Sequence, residues 1–222
     1  MFRPVAAALA VALVSAPAAA APPPDAKTAG SLKVVYQART GRVVLVWKGR
    51  IAPPMAGIFR AAIEKYRDRA TNGFILSLHS RGGKIREAAR VIRLLARLRR
   101  TTRLRTFVGP GHVCGSACIP VFLQGEVRRA SRASLWKFHE VSAKDRDDPD
   151  RIVLRRTQTD RLFRRFFLPA GVSRAWLSEL RIRIRGVDYW MTGADLEAAA
   201  SGIATDYSTN VRKRRRVSAV DG

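Results

Sequence analysis

Between residues 74 and 139 the chain alternates short extended runs with helical ones, and this restricts its architecture more than any other property. Phe74-Ile75-Leu76-Ser77-Leu78 is an apolar run suited to a buried strand. Residues 86–99 then set Ala89, Ile92, Leu95, Ala96 and Leu98 at helical spacing with arginines between them. Residues 104–108 predict a strand. Gly109-Pro110-Gly111 turns the chain toward a helix that opens at Gly115-Ser116-Ala117 and ends at Gly125, and residues 134–139 predict a further strand. Strands joined through helices run parallel, because the helix is the crossover. The expected class is therefore α/β, with a mostly parallel sheet flanked by helices.

The flanking segments extend this plan. Residues 32–37 and 42–47 read as strands joined by a turn at Thr40-Gly41. After Pro53-Pro54, residues 55–70 carry Ile58, Phe59, Ala62, Ile63 and Tyr66 on one helical face. Downstream, residues 149–167 predict a long, arginine-rich amphipathic helix stopped at Leu168-Pro169-Ala170-Gly171. A short helix over 173–180 has Ser173 as its N-cap. Tyr189-Trp190-Met191 is apolar and leads to a helix from Thr192 to Gly202. No internal repeat is visible, and one domain over 32–208 accommodates all of these elements.

The ends differ in character from this domain. Arg3, the apolar run 5–14 and Ala18-Ala19-Ala20 form the pattern of a signal peptide over 1–20, too short to span a bilayer as an ordinary helix. A periplasmic or secreted location follows, with an uncleaved membrane anchor as the alternative. Residues 21–31 read as a flexible leader, and 209–222, with Arg212-Lys213-Arg214-Arg215-Arg216, as a basic disordered tail.

With 42 Lys+Arg against 17 Asp+Glu, the formal charge is +25. Such a field favours an anionic membrane or envelope surface, whereas solvated helix faces in an arginine-rich chain explain the same composition. The arginines are not interleaved with stacking aromatics, so no specific nucleic acid is expected. Cys114 and Cys118 lie four apart, on either side of Ser116. They read either as a disulfide or as two small buried hydrophobes. No second ligand pair accompanies them, so no metal is expected, and no cofactor either.

The chemistry-bearing residues are spread along the domain. A serine hydroxyl needs a base, and His139, at the end of the strand after Ser116, is the first choice; His79 and His112 are rivals. Asp188, ahead of the apolar 189–191, is the candidate carboxylate to hold the imidazole. Backbone N–H groups at Gly83, in Ser80-Arg81-Gly82-Gly83, and at Ala117 are candidate oxyanion donors.

The run from Ile75 through His79-Ser80-Arg81-Gly82-Gly83 resembles the strand and glycine motif of ClpP-like serine proteases in the ClpP/crotonase superfamily. Gly115-Ser116-Ala117 is similar to their nucleophile turn, Leu135-Trp136-Lys137-Phe138-His139 to their histidine strand, and Asp188-Tyr189-Trp190-Met191-Thr192 to their aspartate segment. The resemblance implies repeated ββα units, a catalytic triad of Ser116, His139 and Asp188, oxyanion donors at Gly83 and Ala117, peptide or protein substrates, and a tendency to form a homo-oligomer. It departs from the family where Arg81 stands for the usual proline and where no Gln-Pro follows the histidine strand. A variant of the same superfamily would use Lys137 as the base.

Two functions follow as expectations. The first is an exported serine hydrolase, a peptidase acting through an acyl-enzyme on Ser116 with His139 as base. The alternative is a catalytically inactive scaffold of the same fold that binds an anionic envelope partner through its arginine-rich surface.

Overall fold

The computed structural model describes residues 30–144 and 152–209. Its main body is a six-stranded sheet. Strands β1 (Ser31–Gln37) and β2 (Arg42–Lys48) form an antiparallel hairpin. β3 (Phe74–His79), β4 (Leu104–Val108), β6 (Val127–Ser131) and β11 (Asp206–Ser208) then follow β2 in parallel, in the order β1-β2-β3-β4-β6-β11. Helices α1 (Met55–Tyr66), α2 (Ile85–Leu98) and α3 (Cys118–Phe122) are the crossovers. The α/β expectation therefore holds.

Alternation along the strands decides what is buried. Val43, Leu45 and Trp47 of β2 are fully buried, as are Leu76 and Leu78 of β3. Trp47 meets Phe59 of α1 with ring centroids 5.6 Å apart. Helix α1 follows Pro54 and has no side-chain cap of its own. The buried Glu87 of α2 instead accepts the Ala56 N–H at 2.8 Å, placing a carboxylate at the positive end of α1.

A second sheet, β10-β7-β5, positions the site. It pairs β5 (Val113–Gly115) in parallel and β10 (Tyr189–Thr192) in antiparallel fashion with β7 (Leu135–Phe138). Edge-on ring contacts anchor β7 in the core: Phe122 to Trp136 at 4.9 Å, and Phe138 to Trp176 of α5 (Arg174–Arg183) at 5.4 Å. Ser173 caps α5 as expected, accepting the Trp176 N–H at 3.3 Å. Helix α6 (Gly193–Ala198) starts in a capping box between Thr192 and Asp195.

The structure corrects the sequence reading in three places. Residues 149–167 do not form one long helix. Ile152–Leu154 is a strand (β9) paired with Ser142–Lys144 (β8), and only Arg156–Leu162 (α4) is α-helical before a π-helical turn at Phe163–Phe167. Three consecutive apolar residues, two of them β-branched, outweigh the surrounding helix formers once a partner strand lies alongside. Strand β5 separates the Gly109–Gly111 turn from the serine helix. Strand β6 was not expected at all, because Arg128 and Arg129 obscure its pattern.

Arg128 is nevertheless buried. Its guanidinium donates to the carbonyls of Ile203 at 2.8 Å, Ala170 at 2.9 Å and Gly202 at 3.1 Å, and burial pushes its pKa below the usual arginine range. The signal-peptide reading, most of the leader and nearly all of the basic tail lie outside the described residues. Among the described residues no helix is long and apolar enough to cross a membrane.

Candidate active site

Ser116 lies at the carboxyl end of β5, where two backbones hold it. Ser80 bridges to Cys114 and accepts the Gly115 N–H at 2.9 Å, and the Ser116 N–H donates to the Lys137 carbonyl of β7 at 2.9 Å. The turn that follows is sharp. Ser116 has φ +51°, a left-handed conformation that costs a non-glycine residue about 1–3 kcal/mol and recurs at functional positions.

Gly82 explains what the glycine pair does. A Cβ on it would lie 2.8 Å from the Ser116 Cβ, 2.7 Å from the Gly115 oxygen and 3.1 Å from the Ala117 nitrogen. Only glycine lets this backbone lie against the serine turn, and its φ of +103° adds the same requirement. Gly83 and Ala117 face the cleft beside Ser116, and among the described residues neither N–H is donated to another group. Unspent amides at a helix start are the raw material of an anion-binding pocket.

Cys114 and Cys118 form a disulfide, with Cα atoms 5.3 Å apart and both residues fully buried. The bond links the middle residue of β5 to the first residue of α3, so it spans Ser116. A loop this short removes little chain entropy, about 2 kcal/mol.

Ser116 and His139 line one cleft of about 230 Å³, walled by Ile85, Ile119, Phe163 and Phe167. His139 is half-buried just beyond β7, and its Nδ1 lies 2.6 Å from the Glu140 carbonyl. A backbone acceptor on Nδ1 fixes the tautomer that leaves Nε2 free to accept a proton. No hydrogen bond joins the Ser116 hydroxyl to His139 among the described residues; such bonds are often long in substrate-free sites.

Among the described residues no hydrogen bond or ion pair joins Asp188 to His139. Its carboxylate pairs with Lys137 Nζ at 2.5 Å, and that ammonium also lies 5.7 Å from the Trp190 ring centroid. Trp190 sits opposite Lys137 and Tyr189 opposite Phe138 in the antiparallel β7–β10 pair, so the same register carried one step on sets Asp188 across from His139, with Lys137 as the diagonal neighbour whose long side chain reaches the carboxylate. Lys137 itself lines the cleft.

The rival histidines lie elsewhere. His79 accepts the Val113 N–H at 3.1 Å on Nδ1, its ring centroid lies 4.8 Å from that of His112 with the planes tilted, and neither lines the Ser116 cleft. Burial lowers the His79 pKa, and the nearby positive groups His112, Lys48 and Arg81 lower it further.

One residue escaped sequence reasoning. Glu140 is buried, accepts the Gly186 N–H at 3.1 Å and faces Arg156 Nε at 3.4 Å. It thereby ties the loop before Asp188 and the start of α4 to the residue after His139. Its position next to the histidine was the only available signal.

No protein-family model matches the chain, and no curated protein does. Solved structures do. ClpP1 from Listeria monocytogenes aligns with TM-score 0.55 and 13% identity over 78% of this chain and 93% of that one. A Lys-to-Ala variant of the 1510-N membrane-bound stomatin-specific protease, in complex with a substrate peptide, aligns with TM-score 0.57 and 14% identity over 76% and 75%. The ClpP protease catalytic domain from Plasmodium falciparum aligns with TM-score 0.53 and 13% identity over 78% and 87%. The chain thus has the fold of the ClpP-like serine proteases.

Proposed function

We propose that the chain is an exported serine peptidase with Ser116 as nucleophile and His139 as general base. One observation carries this reading: a serine in a strained left-handed turn shares a cleft with a histidine whose Nδ1 is already engaged, beside two undonated backbone amides. Ser116 Oγ attacks the peptide carbonyl carbon while His139 Nε2 takes its proton. The developing oxyanion accepts from the Gly83 and Ala117 N–H groups, and His139 returns the proton to the departing amine. Water then hydrolyses the acyl-enzyme. The apolar wall of the cleft suits an uncharged side chain of a peptide or protein substrate. Export is supported by the pattern of residues 1–20 and by a disulfide that suits an oxidising compartment.

Asp188 completes the triad in this proposal only if its carboxylate leaves Lys137. A second reading rests on the position of Lys137 in the same cleft: once freed from Asp188, its amine would be the base and His139 a neighbour.

A fluorophosphonate probe tests the nucleophile. Wild type is expected to be labelled at Ser116, and Ser116→Ala to be spared. Equal absence of labelling in both, with salt-sensitive binding to anionic polymers or vesicles retained, would instead identify a scaffold that works through its arginine-rich surface.

A further inference from the structure

The Cys114–Cys118 disulfide has no part in the chemistry above, yet it spans the residue on which that chemistry depends. Three observations bear on its purpose. The bond closes a loop with a sequence separation of only 4, so it does little to hold distant parts of the fold together. The turn inside that loop is held in a conformation its serine does not favour, at φ +51°. The helix after the turn is short: α3 has five residues and no side-chain cap at Ala117, so burial rather than its own hydrogen bonds holds it. Gly82 packs against Ser116 from beyond β3 and restricts the space around it, but among the described residues it makes no hydrogen bond to the turn.

We propose that the Cys114–Cys118 disulfide is the positioning element of the nucleophile turn, so that the peptidase becomes competent when this pair is oxidised. The inference rests on the reading of Ser116 as nucleophile. With two thiols, Ser116 relaxes toward an ordinary backbone conformation, and the hydroxyl and the Ala117 N–H move out of register with Gly83. With the disulfide, the distance between the end of β5 and the start of α3 is fixed and the turn is held. The oxidation is balanced by a disulfide oxidant such as oxidised glutathione. One molecule takes the two electrons and two protons of the thiols, leaving one protein disulfide and two molecules of reduced glutathione. Both sulfurs are buried, so exchange in either direction requires the turn to open. A chain made in a reducing compartment would stay inactive until it reached an oxidising one.

The test uses the full chain in two redox forms of one sequence. Protein produced and purified with both thiols reduced is compared with the same preparation after oxidation by a glutathione couple, with thiol content counted by mass after alkylation. The fluorophosphonate labelling rate is expected to rise at least about tenfold on oxidation. On a peptide substrate, kcat should rise with KM nearly unchanged, a split that a purely structural staple would not give. A Cys114→Ala/Cys118→Ala variant that melts as one cooperative transition should label at the rate of the reduced form, before and after oxidant. Equal labelling of the reduced and oxidised wild type, with Ser116→Ala spared, overturns the positioning role alone. Absence of labelling in both forms overturns the nucleophile and the positioning role together.

Discussion

The two halves of the cleft are built differently. The nucleophile half is made of backbone: Ser116 is held by strand bonds on both sides, by Gly82 packed against it and by a buried disulfide across it. The acid–base half is made of side chains with partners at the surface. Lys137 pairs with Asp188, whose side chain is 52% exposed, and Glu140 pairs with Arg156, which is 73% exposed. Backbone packing tolerates almost no substitution, whereas the partly exposed Lys137–Asp188 pair can exchange partners at little cost. The fold therefore fixes where a bond would be attacked and leaves the handling of the proton adjustable.

The most damaging change to this contrast is Gly82→Ala. The new Cβ meets the backbone of the serine turn at a φ that L-residues avoid, so unfolding should become easier by about 2 kcal/mol or more. Fluorophosphonate labelling should drop about a hundredfold in the protein that still folds. Labelling at the wild-type rate would mean that the nucleophile half is as adaptable as the other.

Next in size is the comparison of bases. His139→Asn should lower kcat by about 10²- to 10⁴-fold. Lys137→Met should cost about 1 kcal/mol of stability or less and leave kcat nearly intact. If the effects on kcat are reversed, Lys137 is the base. A large kcat loss in Asp188→Asn that persists in Lys137→Met/Asp188→Asn assigns Asp188 to the histidine; recovery in the double variant assigns it to Lys137 alone.

The smallest effect concerns acid. His79 supports the nucleophile half by accepting the Val113 N–H of β5, and its pKa lies below the ordinary value of about 6.5. Between the folded value and about 6.5 the unfolded chain binds more protons than the folded one, so stability rises with pH through that window and falls on acidification. Denaturant unfolding at pH 7.5 and pH 5 should show this loss in wild type and a smaller one in His79→Gln. An equal loss in both would place the acid-sensitive group elsewhere.

How much was legible follows from what each residue does. Strands β2, β3 and β4 and helices α1 and α2 were readable because their apolar residues keep the period of the element they form. The serine turn and the glycine pair were readable because backbone geometry restricts which residues can occupy them. Strand β6 was hidden because Arg128 fills a buried position, and nothing local announces the three carbonyls that make this tolerable. The partner of Asp188 was hidden for a related reason. Lys137 and His139 share a face of β7, and which of these two side chains the carboxylate meets is decided by side-chain packing in the assembled sheet rather than by any local pattern. The strand within 149–167 was hidden because its partner lies across a segment whose sequence gives no pairing signal.

Arg128 also governs how the molecule can come apart. Its guanidinium ties the turn at Ala170 and the stretch Gly202–Ile203 to β6, the strand beside the β11 edge of the main sheet, so those late segments cannot lift away one at a time without leaving a buried cation short of partners. Partial opening of the carboxyl-terminal region is therefore penalised far more than its short strands and helices suggest. This region should come away as a single unit or remain in place.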